Sequence, residues 1–261
     1  MPRPTNETGI TGWVLRWWRP LLAEIVSTAI LVGMGCATLV EVGGPKSVQL
    51  THVALAFGGL VVANVAAFGS MSGAHMNPAV TLAAALCGQL QPLVAVAYAI
   101  AQCVGATLGA SSLLGVTPAS LLTQPVCITL PAPALSLVGA VCIEAAITAV
   151  LVWSACGLWA AHEPQRPDRT VGLQLGLVIT ALVYVAGPYT GASINPARSL
   201  GPALAQGVWK DQWVYWVGPL FGASLAALLH RWVLTPLHPA LRRSHSAENQ
   251  DPAQLPLNDK P

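Results

Sequence analysis

Two copies of the tripeptide Asn-Pro-Ala, at residues 77–79 and 195–197, are the residues of this chain best suited to bind a small molecule. Asn is a favoured helix N-cap, and Pro is favoured at the first helical position, where its missing N–H would have had no partner. Asn77 and Asn195 therefore each predict a helix start, with the amide NH2 free to donate into the space ahead of the helix. Pro78 and Pro196 set the first turn, and the small side chains of Ala79 and Ala197 let two such ends approach closely.

Three charged residues, Glu24, Glu144 and Arg198, lie within otherwise apolar stretches. A charge at the centre of a bilayer costs roughly 2.5 to 3.5 kcal/mol, so each needs a partner or a purpose. Arg198 falls on the first predicted turn after Asn195, where its guanidinium either donates to a ligand or extends to the membrane surface. The two glutamates fit either a proton relay or a structural role as acceptors for loop N–H groups, and we favour the structural role.

The overall composition indicates a membrane protein. Of the 261 residues, 54% are hydrophobic and 8% are charged, whereas a soluble domain usually carries about 25% charged residues. The mean hydropathy is +0.61. The net charge is +2, and no basic cluster interrupts the apolar stretches, so nothing indicates a nucleic-acid partner.

Six apolar windows have the roughly 20 residues needed to cross a bilayer: 21–40, 51–69, 92–112, 135–157, 171–188 and 212–234. Arginines gather before the first window, between the fourth and fifth, and after the last. Outside the short apolar segment that contains Arg198, the opposite connections hold only two basic residues, Lys46 and Lys210. The positive-inside rule then predicts that both termini are cytoplasmic. We expect a cytoplasmic N-terminus over 1–19, a membrane domain over 20–234, and a disordered cytoplasmic tail over 235–261.

The membrane domain contains an internal duplication. Glu24 and Glu144 open matching segments, E-x3-T-A-I-L-V and E-x3-T-A-V-L-V, and the two Asn-Pro-Ala boxes match within Gly73–Leu86 and Gly191–Leu204. One repeat covers about 20–115 and the other about 135–234. Each contains three spans, an odd number, so the second must enter the membrane from the opposite side. The sequence therefore predicts an all-α membrane protein with six transmembrane helices, an inverted repeat and two short segments that do not cross.

Five of the six cysteines lie in or beside apolar windows, and no two form a CxxC pair. We therefore interpret these five as small buried hydrophobic residues and expect neither a metal site nor a cofactor. They are Cys36, Cys87, Cys103, Cys142 and Cys156.

The extended boxes, residues 72–80 and 190–199, resemble those of the aquaporin, or major intrinsic protein, family, and the similarity covers roughly residues 20–234. The resemblance implies that the two short segments are re-entrant half-helices. It also implies one pore in each protomer and a homotetramer. In this family the half-helix dipoles and an Arg near the pore contribute to selectivity.

The resemblance also implies a narrow selectivity filter formed by Phe57, Val183, Ala192 and Arg198. Phe57 matches the water channels. Val183 does not, because strict water channels usually have His at that position, and the exchange removes a polar group and widens the ring. Other positions match the water branch of the family: Ser199, Ala203, Tyr215 and Trp216.

We therefore expect a passive channel for water and small uncharged solutes such as glycerol and urea, which excludes protons and ions. It would lie in the lipid bilayer of the plasma membrane. A strictly water-selective channel is the first alternative, and an ion-coupled secondary transporter is a more distant one. An enzyme is not expected, because the spans contain no nucleophile with its base and no ligand cluster.

Overall fold

The computed structural model describes residues 9–42, 49–122, 124–161 and 168–234. The regular elements in these ranges are helices, which confirms the all-α prediction. Six of them are long and apolar enough to span a membrane. They are α1 (Gly9–Ala37), α2 (Leu50–Ser72), α4 (Pro92–Val116), α5 (Leu137–Ala160), α6 (Val171–Thr190) and α8 (Val214–Leu229), the last followed by a π-helical turn (His230–Leu234).

Besides a short 3₁₀ helix (Ala119–Leu121), two α-helices remain, α3 (Pro78–Leu86) and α7 (Pro196–Gln206), which are half-helices of 9 and 11 residues. At 1.5 Å per residue, each reaches only about half of the roughly 30 Å hydrocarbon core. Both begin at the proline of an Asn-Pro-Ala box, as the sequence predicts. Each is preceded by a loop that follows a glycine in the left-handed conformation, Gly73 at the end of α2 and Gly191 at the end of α6.

The helices pack as two equivalent halves. Helix α1 packs on α4 in the first half and α5 packs on α8 in the second, while α2 packs on α6 between them. Glycines make these approaches close: a β-carbon at Gly109 would overlap the carbonyl oxygen of Ala29, and one at Gly222 would overlap that of Ala145. Small residues that let helix backbones approach are the usual basis of tight packing in lipid.

The outer surface of the bundle is apolar, as contact with lipid requires. Helix α4 shows this most clearly, because its inner face carries the buried Tyr98 and Gln102 while its outer face exposes a row of apolar side chains. The row consists of Leu93, Val96, Ile100, Val104 and Leu108, which are 44–67% exposed. The burial pattern thus agrees with a membrane-embedded bundle.

Helix α1 begins at Gly9, well before the predicted window that starts at residue 21. The apolar window marks only the part of the helix that fits hydrocarbon, whereas the helix itself continues through more polar residues. In that extension Arg16 lies over the Trp17 ring and Arg19 over the Trp18 ring, at 5.3 and 5.1 Å from the ring centroids. Such cation–aromatic stacking suits a membrane surface. The predicted disordered tail, 235–261, lies outside the described residues.

The interpretation of the cysteines is wrong for Cys36 and Cys142. Cys36, in the last turn of α1, forms a disulfide with Cys127 in the connection between α4 and α5, and Cys142 is exposed on the outside of α5. Cys87 and Cys156 are unpaired, with their sulfur atoms 3.4 Å apart. The sequence lacked a signal for the disulfide because the two cysteines are 91 residues apart.

Candidate functional site

The two Asn-Pro-Ala boxes meet inside the bundle, and each asparagine bonds both its own helix and the opposite loop. Asn77 Oδ1 accepts from Ala79 N at 2.8 Å, and its Nδ2 donates to the carbonyl of Ile194 at 2.9 Å. Asn195 Oδ1 accepts from the Ala197 and Arg198 amides, and its Nδ2 donates to the carbonyl of Met76 at 2.6 Å. One N–H of each amide therefore joins the two halves.

The loops ahead of the half-helices have a strained backbone that is the same in both halves. Ala74 and Met76 have φ values of 48° and 52°, and Ala192 and Ile194 have 45° and 59°. A left-handed conformation costs a residue with a β-carbon about 1 to 2 kcal/mol. With this backbone the N–H groups of His75 and Met76 both point toward Glu24, and those of Ser193 and Ile194 both point toward Glu144.

Glu24 and Glu144 accept those N–H groups. Both carboxylates are fully buried. Glu24 accepts from the His75 and Met76 amides at 2.9 and 2.8 Å and also from the Ser72 hydroxyl and the Gln102 amide. A buried carboxylate surrounded by donors is a strong acceptor and here holds the loop in its strained form.

Glu144 repeats this pattern in the second half. Its carboxylate accepts from the Ser193 and Ile194 amides at 2.9 and 2.8 Å and from the Thr190 hydroxyl at 2.7 Å. The duplicated glutamates of the sequence thus lie behind the duplicated loops, in equivalent positions.

The four residues of the expected filter line one cavity together with both asparagines. Phe57 extends from α2 and Val183 from α6, while Ala192 lies in the loop before the second box. The Arg198 guanidinium lies 5.4 Å from the centroid of the Phe57 ring. The cavity passes between the starts of α3 and α7, each of which carries a partial positive charge of about half a unit.

Arg198 is only 6% exposed, and its Nη1 donates to the carbonyl of Cys127 at 2.9 Å. This acceptor was not found from the sequence, because nothing in the local pattern connects the loop before α5 with the start of α7. His75 and Trp159 also line the cavity, with their rings 5.9 Å apart. His75 Nδ1 lies 3.1 Å from the Thr81 hydroxyl.

Two inverted halves that join half-helices around a lined cavity define a membrane channel protein. The chain belongs to the major intrinsic protein family, to which the aquaporins belong: residues 13–230 match the family described as "Major intrinsic protein". Membership in this family makes the protein a membrane channel and not an enzyme.

Individual relatives agree with this assignment. Aquaporin-4 of Mus musculus is 37% identical over 229 residues, which cover 86% of this chain and 70% of the mouse protein. The lens fiber major intrinsic protein of Oryctolagus cuniculus is 39% identical over 229 residues, or 86% of this chain and 85% of the rabbit protein. Among solved structures, the aquaglyceroporin from Plasmodium falciparum superposes with a TM-score of 0.75 and 25% identity, over 85% of this chain and 98% of that one.

Proposed function

We propose that this channel conducts water and small uncharged solutes such as glycerol and urea, and that it excludes protons and ions. The observation that carries the proposal is the composition of the filter. Arg198 supplies hydrogen-bond donors, while Phe57, Val183 and Ala192 line the same cavity with apolar groups. A ring that is polar at one point and apolar elsewhere suits a molecule with one hydroxyl edge and one carbon edge.

Water conduction rests on the two asparagines. Each amide has a second N–H beyond the one that joins the halves, and both residues line the cavity. In this proposal a water between the boxes accepts from Asn77 and Asn195, which turns its oxygen toward the helix starts and its hydrogens away from the centre. Neighbouring waters then point in opposite directions, and the chain of donors along which a proton could move is broken. The two helix dipoles and Arg198 repel cations.

Solute conduction rests on Val183, because an isopropyl group in place of an imidazole leaves more room and an apolar wall. The structural similarity to a protein titled an aquaglyceroporin supports this. A strictly water-selective channel is the second candidate, favoured by the water-type residues Ser199, Ala203, Tyr215 and Trp216. Two of these four side chains form hydrogen bonds within the protein. The Ser199 hydroxyl lies 2.7 Å from that of Thr129, and the Tyr215 hydroxyl donates to the carbonyl of Thr190.

Purified protein in liposomes tests the proposal. Stopped-flow light scattering after a sucrose step is expected to show faster shrinkage than empty vesicles, and glycerol and urea steps faster re-swelling. Ala192→Trp, inserted in equal amount, is the matched control, because a large side chain at this position fills the cavity. The glycerol and urea fluxes should rise linearly with solute concentration, and they should not depend on proton or sodium gradients. Water permeability equal to that of empty vesicles, or a proton current that scales with protein, would refute the proposal.

Gly35 provides a second test, because it packs against the filter. A β-carbon at this position would lie 2.6 Å from Cε1 and Cζ of the Phe57 ring, so the ring must move. We expect Gly35→Ala to push the ring toward Arg198 and to reduce water permeability severalfold, with a larger reduction for glycerol. Gly59→Ala is the control, since a β-carbon there meets no atom within 4 Å. Unchanged permeability in the Gly35 variant would show that Phe57 does not limit the channel.

We further propose that both termini are cytoplasmic, that the protein resides in the plasma membrane and that it forms a homotetramer. The orientation rests on Arg16 and Arg19 in the first half of α1, Arg169 before α6 and Arg231 after α8, which all belong to one side of a six-span bundle. The oligomeric proposal rests on family membership.

A further inference from the structure

The segment at residues 126–129, here called the filter loop, is attached to the channel at several points. The backbone of Val126 exchanges two hydrogen bonds with the Gln206 side chain, both at 2.8 Å. The Thr129 hydroxyl lies 2.7 Å from that of Ser199. Between these contacts Cys127 forms the disulfide with Cys36, and its carbonyl accepts from Arg198. The filter loop is thus held on both sides of the Cys127 carbonyl, which accepts from Arg198.

We propose that the Cys36–Cys127 disulfide is a positioning device for the selectivity filter: it fixes the Cys127 carbonyl that anchors Arg198, and its loss lets the guanidinium enter the lumen. The proposal rests on the proposed water-conducting function. It makes the two cysteines determinants of permeation, although neither lines the cavity.

The backbone at Cys127 shows why an anchor is needed. Its φ is 65°, in the left-handed region that a residue with a β-carbon avoids. This conformation directs the Cys127 carbonyl at Arg198. Without a constraint the residue favours an ordinary conformation, which would turn the carbonyl away. The disulfide holds the residue from its own side chain, and therefore acts at the strained position itself.

The other end of the disulfide is rigid. Cys36 is fully buried and packs in one cluster with Val32, Val126 and Ala197, the last residue of the second Asn-Pro-Ala box. The disulfide therefore ties the filter loop to the same packed group that holds the start of α7, from which Arg198 projects. A shift of the acceptor relative to the arginine is restricted because both are attached to one cluster.

The location of the disulfide agrees with this role. Cys36 lies at the end of α1 opposite to the N-terminus, so with cytoplasmic termini the disulfide faces the external compartment. Disulfides persist in oxidising compartments outside the cytosol. The bond itself is buried, because Cys36 is 0% and Cys127 only 6% exposed, so a reducing agent reaches it only when the filter loop opens.

The expected effect is a loss of water permeability. A guanidinium without its carbonyl acceptor finds partners among the waters of the lumen and so narrows it. We expect Cys36→Ser to lower the unit water permeability by about fivefold, the factor that corresponds to the loss of one ordinary hydrogen bond. Treatment of the wild type with dithiothreitol, continued until the bond is shown to be broken, should act equally, since the reagent supplies two electrons and two protons and leaves as its cyclic disulfide. Cys142→Ser, at an exposed free cysteine, should match the wild type.

A second background separates positioning from general stability. In Arg198→Ala the Cys127 carbonyl has no guanidinium to bind, so removing the disulfide should cause no further change in water permeability. If the disulfide had a purely structural role, its removal would lower the yield of functional protein in both backgrounds. Peptide mass analysis under non-reducing conditions verifies the bond. If Cys36→Ser does not fold, the water permeability of the reduced wild type tests the proposal. Conduction that is equal before and after complete reduction overturns this inference alone, whereas no water flux in the oxidised wild type overturns the proposed function and with it the inference.

Discussion

Replacing Val183 with His is expected to lower glycerol and urea permeability by about tenfold, within the range that one altered group in a binding pocket contributes, while water permeability stays within a factor of about two. Val183 is 6% exposed and packs with Ala192 and Ile194 beside the cavity. An imidazole there occupies space that a polyol carbon edge would need, and it adds a polar group that water tolerates. Vesicle swelling in glycerol and urea, compared with shrinkage in sucrose, measures the ratio.

Two control variants separate size from polarity and position. Val183→Thr keeps the shape of the side chain and adds a hydroxyl, so solute flux should stay close to that of the wild type if the width of the ring decides. Val185→His places the same imidazole two residues further along α6, at a position that is 63% exposed to the outside, and should change neither flux. Negligible solute uptake by the wild type would leave a strictly water-selective channel, and equal solute uptake by wild type and Val183→His would remove the role of Val183.

The second large effect is expected at the buried glutamates. Glu144→Gln retains one acceptor oxygen for three donors and loses the charge, and charge-assisted hydrogen bonds contribute about 1.5 to 3 kcal/mol each. A loss of about 3 kcal/mol is a large part of the stability of a protein. Glu144 holds the loop whose backbone is strained at Ala192 and Ile194. We therefore expect the variant to have a much lower folded yield and a lower melting temperature. Glu24→Gln should behave alike, since its donors have the same arrangement.

The control for these variants is Glu41→Gln, which makes the same chemical change at an exposed carboxylate beyond α1. Size-exclusion chromatography gives the monodisperse yield, and thermal unfolding gives the stability. The protein that does fold should keep the glycerol-to-water ratio of the wild type. Normal yield of both buried variants together with loss of a pH-dependent flux would instead favour the proton relay.

The sequence by itself determined the repeated elements of this protein. Asn caps, prolines at the first helical position and long apolar windows act within a few residues, so the starts of α3 and α7 and the six spans follow from local physics. The duplication of Glu24 and of the first Asn-Pro-Ala box then predicts two halves, and an odd number of spans predicts their inversion. These are properties of short segments and of their order.

The tertiary structure decided how the halves meet. The sequence predicts that each asparagine amide is free to donate. In the structure each amide donates one hydrogen bond to the opposite loop, to an acceptor 117 or 119 residues away in the chain. The Cys36–Cys127 bond joins residues 91 apart, and the contact between Gly35 and Phe57 depends on the packing of α1 against α2. Long-range contacts such as these depend on the packing of whole helices and leave no local pattern. For that reason the filter residues could be predicted from the sequence by resemblance to the family, whereas the carbonyl that binds Arg198 was identified only in the folded chain.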